Sequence, residues 1–344
     1  SIGDKVPFIT SLNEKIFAGD KRVTKVNITL DDLTSFILFF NSEGTLTWDY
    51  RPLTYLSART LMEENGRIEN ATVAKSFRMG YEFLTMDLID ELAGQALEET
   101  SQLFKATKPK AGEMEVVMGG GRSGILLHEA MGHSFEADFN RKKTSIFSDR
   151  MGKKIAEDFV TIVDDGTLPN NRGSLNVDDE GVVTEKTILV HNGTLTSYIH
   201  DRISAKYYNV EPTGNGRRQD FRNVPMPRMR STYMENGPST EESLIASIKK
   251  GLYVDTFSNG QVQIGAGDFT FYVKSGYLIE KGKLTRPVKD VNIIGNGPAA
   301  LADIKGVANN FIMDNGTWTC GKEQSCPVSC GMPTVLVGSL TVGG

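Results

Sequence analysis

The chain has 344 residues, a formal net charge of −5, 39% hydrophobic residues and 24% charged residues. This length accommodates two domains of ordinary size, each with its own hydrophobic core. The acidic balance argues against direct binding to nucleic acid, because proteins of that class usually present a basic face. No apolar run approaches the roughly 20 residues that a membrane-spanning helix requires, so no membrane association is expected.

The three cysteines, Cys320, Cys326 and Cys330, all lie within eleven residues of one another. An odd, clustered set differs from the even, spaced pattern of a disulfide framework. We therefore expect a reducing compartment, the cytoplasm, as the location. The sequence starts at Ser1 rather than at methionine, so it provides no test for an export signal.

Residues 1–108 are predicted to form a first domain of strands followed by one helix. Runs that alternate or are continuously apolar, and that are bounded by turn residues, predict strands at 26–30, 36–40, 45–48 and 53–63. A helix is predicted over 86–106, because apolar residues recur there at helical spacing, at Leu88, Leu92, Ala96 and Leu103. The proline and glycine of segment 108–112 indicate a linker.

Residues 113–344 are predicted to form a second, larger domain of mixed composition. A strand at 115–118 leads through a glycine-rich segment into an apolar run that predicts a helix. Asn192-Gly193 predicts a hairpin, and Ser239 with Glu242 predicts a capping box at a helix start. Alternation predicts further strands over 261–279, Glu280-Lys281-Gly282-Lys283 predicts a turn, and segment 334–337 is predicted as a strand.

The order of these elements indicates the fold class. Strands and helices are mixed without the regular βαβ alternation of a doubly wound sheet. We therefore predict an α+β protein, with a strand-rich middle domain followed by a large mixed domain that carries the helix with the His-Glu motif described below.

The glycine run at 119–124 lies between a strand and a helix, as a phosphate-binding loop does. It lacks the Gly-Lys-Ser/Thr ending of a P-loop, and it lacks a clean GxGxxG with an acidic residue about 20 positions on. We interpret it as a tight strand-to-helix turn with close backbone packing.

His128, Glu129 and His133 form the motif with the clearest chemistry. Neutral imidazole is a good zinc ligand, and a glutamate beside a bound water accepts its proton. The histidines are five residues apart, which corresponds to about 140° of rotation on a regular helix. Both reach one metal only if the helix ends or loosens between them, and Gly132 is the natural position. The alternative is two satisfied histidines on a helix that also carries a glutamate.

A catalytic zinc usually has three protein ligands, so a third ligand is needed. The remaining histidines are His191, in the predicted hairpin turn, and His200. Cys320 lies in a polar loop between glycines, with Cys326 and Cys330 close by. The spacing of the three cysteines is not that of a zinc finger, and from these residues alone the third ligand stays open.

Ten segments distributed along the chain match the motifs of one family. They are Gly80-Tyr81-Glu82-Phe83, Leu127-His128-Glu129-Ala130 with Gly132-His133, Asp138-Phe139-Asn140-Arg141, Val163-Asp164-Asp165-Gly166-Thr167, Arg172-Gly173-Ser174, Asp178-Asp179-Glu180-Gly181, Pro212-Thr213-Gly214-Asn215-Gly216-Arg217-Arg218, Pro225-Met226-Pro227-Arg228-Met229, Cys320-Gly321-Lys322 and Leu340-Thr341-Val342-Gly343-Gly344. With these segments the chain resembles, through essentially its whole length, the TldD branch of the TldD/PmbA family, which is described as zinc metallopeptidases and as modulators of DNA gyrase.

The resemblance implies that His128, His133 and Cys320 bind Zn²⁺ and that Glu129 is the catalytic base. Cys320 is favoured among the thiols because its Cys-Gly-Lys context matches the family. It implies a middle domain and a C-terminal catalytic domain here, with the family's N-terminal domain absent from this chain. It also implies a homodimer, or a heterodimer with a TldE/PmbA-type subunit, that cuts peptides or unfolded protein segments in a cavity between subunits.

Asn215, Arg217 and Arg218 are predicted to bind substrate, through its carboxylate or peptide carbonyls. The alternative is an ordered loop with structural ion pairs. The acidic clusters at 164–165 and 178–180 lack the spacing of a calcium loop, so solvated turns and structural hydrogen bonds are expected.

Two other functions compete with a peptidase. The first is a non-catalytic regulatory subunit that modulates gyrase or a toxin–antitoxin system, which would need no His-Glu-His set. The second is a metal that only stabilises the fold.

Overall fold

The computed structural model describes residues 2–263 and 265–343. Its helices are α1 (Ile2–Gly19), α2 (Met86–Leu103), α3 (Ile125–Ala130), α4 (Ala137–Arg141), α5 (Arg202–Tyr208), α6 (Glu241–Ser247) and α7 (Gly297–Ala302), with short 3-10 turns at Tyr81–Phe83, Arg122–Gly124 and Gly132–Phe135. Its strands are β1 (Val23–Phe40), β2 (Leu46–Glu64), β3 (Arg67–Phe77), β4 (Gly112–Met118), β5 (Ile162–Asp165), β6 (Lys186–His191), β7 (Thr194–Leu195), β8 (Gly216–Arg217), β9 (Met226–Pro227), β10 (Ser231–Met234), β11 (Lys250–Val262), β12 (Asp268–Glu280), β13 (Lys283–Val288), β14 (Val291–Asn296), β15 (Ile304–Val307), β16 (Ile312–Met313), β17 (Thr319–Lys322), β18 (Gln324–Pro327), β19 (Ser329–Met332) and β20 (Val335–Gly343). None of the helices in these ranges is long and apolar enough to cross a membrane.

An antiparallel sheet of order β1–β2–β3 packs with α1 and α2. Leu12 and Ile16 of α1 share one core with Leu56 and Ala58 of β2. β1 and β2 were each predicted as two separate strands, whereas they run for 18 and 19 residues. α1 was not predicted, and it contains Pro7, which lacks the N–H donor that a continuing helix uses.

The far end of the β1–β2 hairpin carries an uncovered apolar surface, which we call the tip face. Alternate residues of a strand point to the same side, so residues opposite each other in register share a face. α1 and α2 pack on the nearer half of the hairpin and leave this half bare. The tip face consists of side chains that are 43–79% exposed, namely Phe36 opposite Tyr50, Leu38 opposite Trp48, and Phe40 opposite Leu46.

Two larger sheets follow, and α3 lies between them. One has the order β11–β4–β20–β14–β12–β13, with β15 paired to β20, and the other has the order β16–β19–β10–β5–β6–β7. α3 packs against β11 and β12 of the first sheet and against β10 and β19 of the second. Leu126 and Leu127 of α3 therefore share a core with Leu252 and Met234. This strand-rich, mixed architecture confirms the predicted α+β class.

Two predicted turns are present. Asn192 and Gly193 have φ angles of 46° and 76°, as the primed two-residue hairpin turn requires. Lys281 and Gly282, with φ angles of 53° and 75°, connect β12 to β13 in the same way. In both places the residues that tolerate a positive φ made the turn predictable from the local sequence.

Other boundaries differ from the prediction. The helix predicted to start at Ser239 has Thr240 as its N-cap, and the capping box pairs Thr240 with Ser243 instead of Ser239 with Glu242. Segment 261–279 spans the end of β11 and most of β12, and the start of β11 at Lys250 was missed. The ends of these strands depend on pairing with distant segments, so a local sequence pattern does not predict them.

The acidic cluster at 164–165 is not solvated. Asp164 and Arg230 form an ion pair with Nε and Oδ2 2.8 Å apart, and both side chains are fully buried. Asn215 Nδ2 and Thr232 Oγ1 also donate to this carboxylate, at 2.7 and 2.8 Å. The expected structural hydrogen bonds are present, whereas the expected exposure to solvent was wrong.

Candidate metal centre

α3 breaks between the two histidines. The α-helix ends at Ala130, because Met131 has φ −128° and ψ −48°, and the chain continues as a 3-10 turn from Gly132. The predicted distortion is thus confirmed, although the departure from helical geometry begins one residue before Gly132. A Cβ on Gly132 would lie 2.2 Å from Met229 Sδ, so a side chain at this position would displace that buried methionine.

The break brings His128 and His133 to one side, where they meet Cys320. The imidazole centroids are 5.0 Å apart and their planes lie at 81°. Cys320 Sγ is 3.3 Å from His133 Nε2, and one nitrogen of each histidine and this sulfur all lie within 4.8 Å of one another. All three side chains are buried.

Neither nitrogen of His128 has a hydrogen-bond partner among the described residues, although the side chain is fully buried. A buried polar group without a partner is costly and usually indicates a missing ligand or water. Two imidazoles and one thiolate are a donor set that suits Zn²⁺ and leaves a coordination position open. The residues present therefore fit a zinc ion.

Glu129 differs from its neighbours in α3. The Glu129 side chain is 24% exposed, whereas the other side chains of the helix are buried. Its Oε2 lies 3.9 Å from His133 Nε2. The carboxylate is accessible to solvent and adjacent to the three candidate ligands.

A line of buried charges extends from His133 away from the candidate metal position. Glu136 Oε2 lies 2.9 Å from His133 Nδ1 and 3.2 Å from Lys322 Nζ. Lys322 Nζ also donates to Asp138 Oδ1 at 2.7 Å. Glu136 and Lys322 were not predicted as site residues. The only local signals were the three-residue spacing from His133 to Glu136 and the Cys-Gly-Lys context of Lys322.

This charge arrangement sets the protonation states. Burial favours the neutral acid, but Lys322 and His133 outweigh it and lower the pKa of Glu136 to about 2. Burial also opposes the Cys320 thiolate, but His128 and His133 lower the pKa of Cys320 to about 4. Burial opposes the His133 imidazolium, while Glu136 and Cys320 raise the pKa of His133 well above its usual value.

Cys320 lies in the β17–β18 hairpin, and a buried arginine stabilises the backbone of this hairpin by hydrogen bonds. Arg228 donates to the carbonyl oxygen of Cys320 at 2.7 Å and to that of Gln324 at 2.8 Å. Arg217 Nη2 donates to Pro327 O at 2.7 Å in the same hairpin. The sulfur therefore approaches the histidines on a constrained backbone.

The other predicted candidates lie in different surroundings. Among them, Asn215 and Arg217 are buried and bond to the protein itself, while Arg218 is half-buried. Their predicted contact with substrate stays a prediction. His191 lies at the end of β6, and burial lowers the pKa of His200 to about 4.

A cleft of about 470 Å³ lies between the β1–β2–β3 sheet and the segment that leads into β17. Its lining includes Thr72 and Ala74 of β3 and Asp314 and Trp318 of that segment. Burial raises the pKa of Asp314 to about 7, and the nearby His128 partly offsets this effect. None of the candidate ligands lines this cleft, but Asp314, which does, lies close enough to His128 to interact with it electrostatically.

Comparison with known proteins places this chain in a family. The model of the PmbA/TldA metallopeptidase central domain matches residues 1–104, and that of the C-terminal domain matches residues 111–344. The metalloprotease TldD homolog of Haemophilus influenzae is 41% identical over 99% of this chain and 72% of its own length. The zinc metalloprotease TldD homolog of Saccharolobus solfataricus is 35% identical over 78% of this chain and 60% of its own length. The chain belongs to the TldD branch of the PmbA/TldD metallopeptidase family.

Solved structures agree in fold. A modulator of DNA gyrase from Thermotoga maritima has a TM-score of 0.83 at 23% identity, and covers 100% of this chain and 74% of its own. TldE from Thermococcus kodakarensis has a TM-score of 0.76 at 21% identity, and covers 98% of this chain and 74% of its own. At these identities the likeness establishes the architecture alone.

Proposed function

We propose that this protein is a zinc-dependent metallopeptidase that hydrolyses peptides or unfolded protein segments. The observation that carries the proposal is the convergence of His128, His133 and Cys320 beside the accessible carboxylate of Glu129. The proposed catalytic domain is 113–344, and 1–108 is the proposed middle domain.

The chain's own residues account for most of the mechanism. When bound by the two histidines and Cys320, zinc supplies Lewis acidity to the scissile carbonyl and to the attacking water. Glu129 accepts the proton of that water and delivers it to the leaving amine. Glu136 accepts a hydrogen bond from His133 Nδ1–H, which fixes the tautomer that presents Nε2 to the metal.

Removing the metal tests whether it is catalytic or structural. After treatment with a chelator we expect peptide cleavage to stop, because the Lewis acid is lost, while thermal unfolding stays cooperative and zinc restores activity. We expect the fold to persist without the metal, because one extensive hydrophobic core joins the two C-terminal sheets. Loss of near-ultraviolet circular dichroism on chelation would instead indicate a structural metal.

Substrate is proposed to bind in the cleft along β3, the edge strand of its sheet. An edge strand offers unpaired N–H and C=O groups to an extended peptide, and such main-chain pairing gives weak sequence preference. Ser76 N already donates to Asn315 O at 2.9 Å and Lys274 Nζ donates to Thr72 O at 2.6 Å, so part of this edge is used within the chain. A folded protein cut as fast as its unfolded form would contradict this mode of recognition.

The affinity of the site for zinc should fall as the pH drops. In the metal-free protein Cys320 is a thiolate at neutral pH, because its pKa is about 4, whereas the raised pKa of His133 keeps it protonated. Zinc therefore displaces a proton from His133, and affinity should fall at least about tenfold per unit as the pH drops from about 7 to 5. Titration against a chromophoric chelator measures this slope, and a flat profile would mean that His133 is already neutral.

The protonated His133 has the opposite effect on the metal-free fold. Its folded pKa is raised, so its contribution to stability is present below the ordinary value of 6.5 and is lost as the pH rises through the raised pKa. Metal affinity and this part of the metal-free stability thus respond to pH in opposite directions.

A second subunit is proposed to cover the tip face, as a second copy or as a TldE/PmbA-type partner. The four aromatic side chains of the tip face alone expose on the order of 500 Å² of surface to solvent. An exposed apolar patch of this size is in the range that marks interaction sites. Interfaces of standard size bury about 800 Å² per partner. The double variant Leu38→Asp with Trp48→Asp should therefore sediment as a monomer where the wild type associates, because charges would be buried without partners.

A matched control for this measurement is Ile68→Asp with Val183→Asp, which changes two exposed apolar residues outside the tip face. Association that survives in the tip-face variant and is lost in the control would place the interface elsewhere.

A further inference from the structure

Cys320 has a second cysteine directly opposite. In the antiparallel β17–β18 hairpin the register pairs Cys320 with Cys326. Both are free thiols, and both are buried. The third thiol, Cys330, lies in another sheet, where it is paired in register with Thr232 of β10. Cys330 lies close enough to Cys320 to interact with it electrostatically, but only Cys326 faces Cys320 across a strand pair.

The two thiols lie on the same side of the hairpin. Thr319, Gly321 and Ser325 are exposed, whereas Cys320 and Cys326 alternate with them and are buried. Residues opposite each other on an antiparallel ribbon have Cα atoms about 4.5–5.5 Å apart, which is within the roughly 4.4–6.8 Å range that a disulfide spans. The bond thus requires rotation of side chains and no separation of the strands.

The backbone keeps this register fixed. The guanidinium of Arg228 donates to the carbonyl oxygens of Cys320 on one strand and Gln324 on the other. It also lies close enough to both sulfurs to interact electrostatically with each of them. Cys326 is outside the group of atoms within 4.8 Å that Cys320 forms with the histidines. Cys320 can therefore turn toward either the histidines or Cys326.

We propose that Cys320 and Cys326 form an oxidative modification site, at which a peroxide closes a disulfide and removes a ligand from the metal centre. The loss of the metal rests on the proposed function, whereas formation of the disulfide does not. With the sulfur of Cys320 bonded to Cys326, the thiolate donor is gone and only the two histidines remain.

The chemistry balances with hydrogen peroxide as the oxidant. The sulfur of Cys320 attacks one oxygen, the O–O bond breaks, and hydroxide leaves and takes a proton to become water. The resulting sulfenic acid is attacked by the sulfur of Cys326, so the S–O bond breaks as the S–S bond forms. The thiol proton of Cys326 leaves with the departing oxygen as a second water. The two sulfurs each lose one electron, and the peroxide is reduced to two waters.

The test uses the metal-free full chain treated with hydrogen peroxide, followed by thiol counting and peptide mass mapping. We expect the number of free thiols to fall from three to one, with a linked pair of peptides that contains Cys320 and Cys326. A dithiol reductant should restore all three thiols. The sulfoxide of Met151, which is 43% exposed, shows that enough oxidant was present.

Two variants serve as controls. Cys330→Ser should form the same link, whereas Cys326→Ser should form none and should leave Cys320 as a sulfenic acid that dimedone traps. A link to Cys330, or an oxidised Met151 beside a fully reduced Cys320–Cys326 pair, overturns the proposal.

Metal content separates this inference from the proposed function. In the zinc-loaded wild type, peroxide should release zinc as the link forms, and a reductant followed by zinc should reload the site. A chain that forms the link but never binds zinc would refute only the proposed function. A chain that binds zinc and keeps both thiols reduced would refute only the modification site.

Discussion

Glu129→Gln is expected to abolish most peptide cleavage while the protein keeps its metal. Glutamine has nearly the same shape but does not accept the proton of the attacking water, and general acid–base catalysis typically contributes about 10²–10⁴-fold to the rate. Glu129 is 24% exposed, so the substitution should leave the buried ligands and the fold in place. Turnover of an unfolded peptide substrate and zinc content of the same preparation are the measurements.

The matched control is Glu157→Gln, which makes the same change at an exposed position away from α3. It should retain wild-type turnover. If Glu129→Gln cleaves peptides at the wild-type rate, the proposed role of this carboxylate is refuted. If the variant loses zinc as well as activity, Glu129 contributes to metal binding rather than to proton transfer.

Cys320→Ala is expected to lose most of the bound zinc. Loss of a residue that hydrogen-bonds to a metal ligand typically lowers metal affinity about 10–100-fold. Loss of a ligand itself should lower it by more than that. The two remaining histidines leave the site short of the three protein ligands that catalytic zinc sites usually provide. Elemental analysis after gel filtration measures the metal, and denaturant unfolding checks the fold.

Cys326→Ala and Cys330→Ala make the same chemical change at neighbouring positions, and both should keep wild-type zinc. The geometry distinguishes them, because Cys320 Sγ is 3.3 Å from His133 Nε2 and is the thiol in the three-residue cluster. Full zinc content in Cys320→Ala together with loss of zinc in Cys326→Ala would show that Cys326, and not Cys320, is the metal ligand.

The sequence was most informative where geometry is local. A five-residue spacing is incompatible with one face of a regular helix, so a break near Gly132 followed from helical geometry once both histidines were taken to bind one metal. The Asn192-Gly193 turn followed from the positive φ angles that these residues tolerate. The three candidate ligands and the base were all named from the sequence, but the choice of Cys320 depended on the family resemblance.

What the sequence did not reveal depends on contacts between distant segments. Lys322 and Glu136 are 186 residues apart, and only the folded chain places their charges 3.2 Å from each other. The burial of Asp164 similarly depends on Arg230, which is 66 residues away. Local composition made Asp164 look solvated, whereas its environment is set by the sheet that pairs β5 with β10.

The candidate site is also divided along the chain, since 187 residues separate His133 from Cys320. A ribosome that makes this protein exposes both imidazoles and Glu129 long before it adds the sulfur. A nascent chain therefore carries an incomplete candidate site, and under the proposed function we expect it to be inert toward itself and toward other emerging polypeptides. Activity should begin only after Cys320 has been added to the chain. Peptide cleavage by ribosome-bound chains stalled before residue 320 would contradict this view.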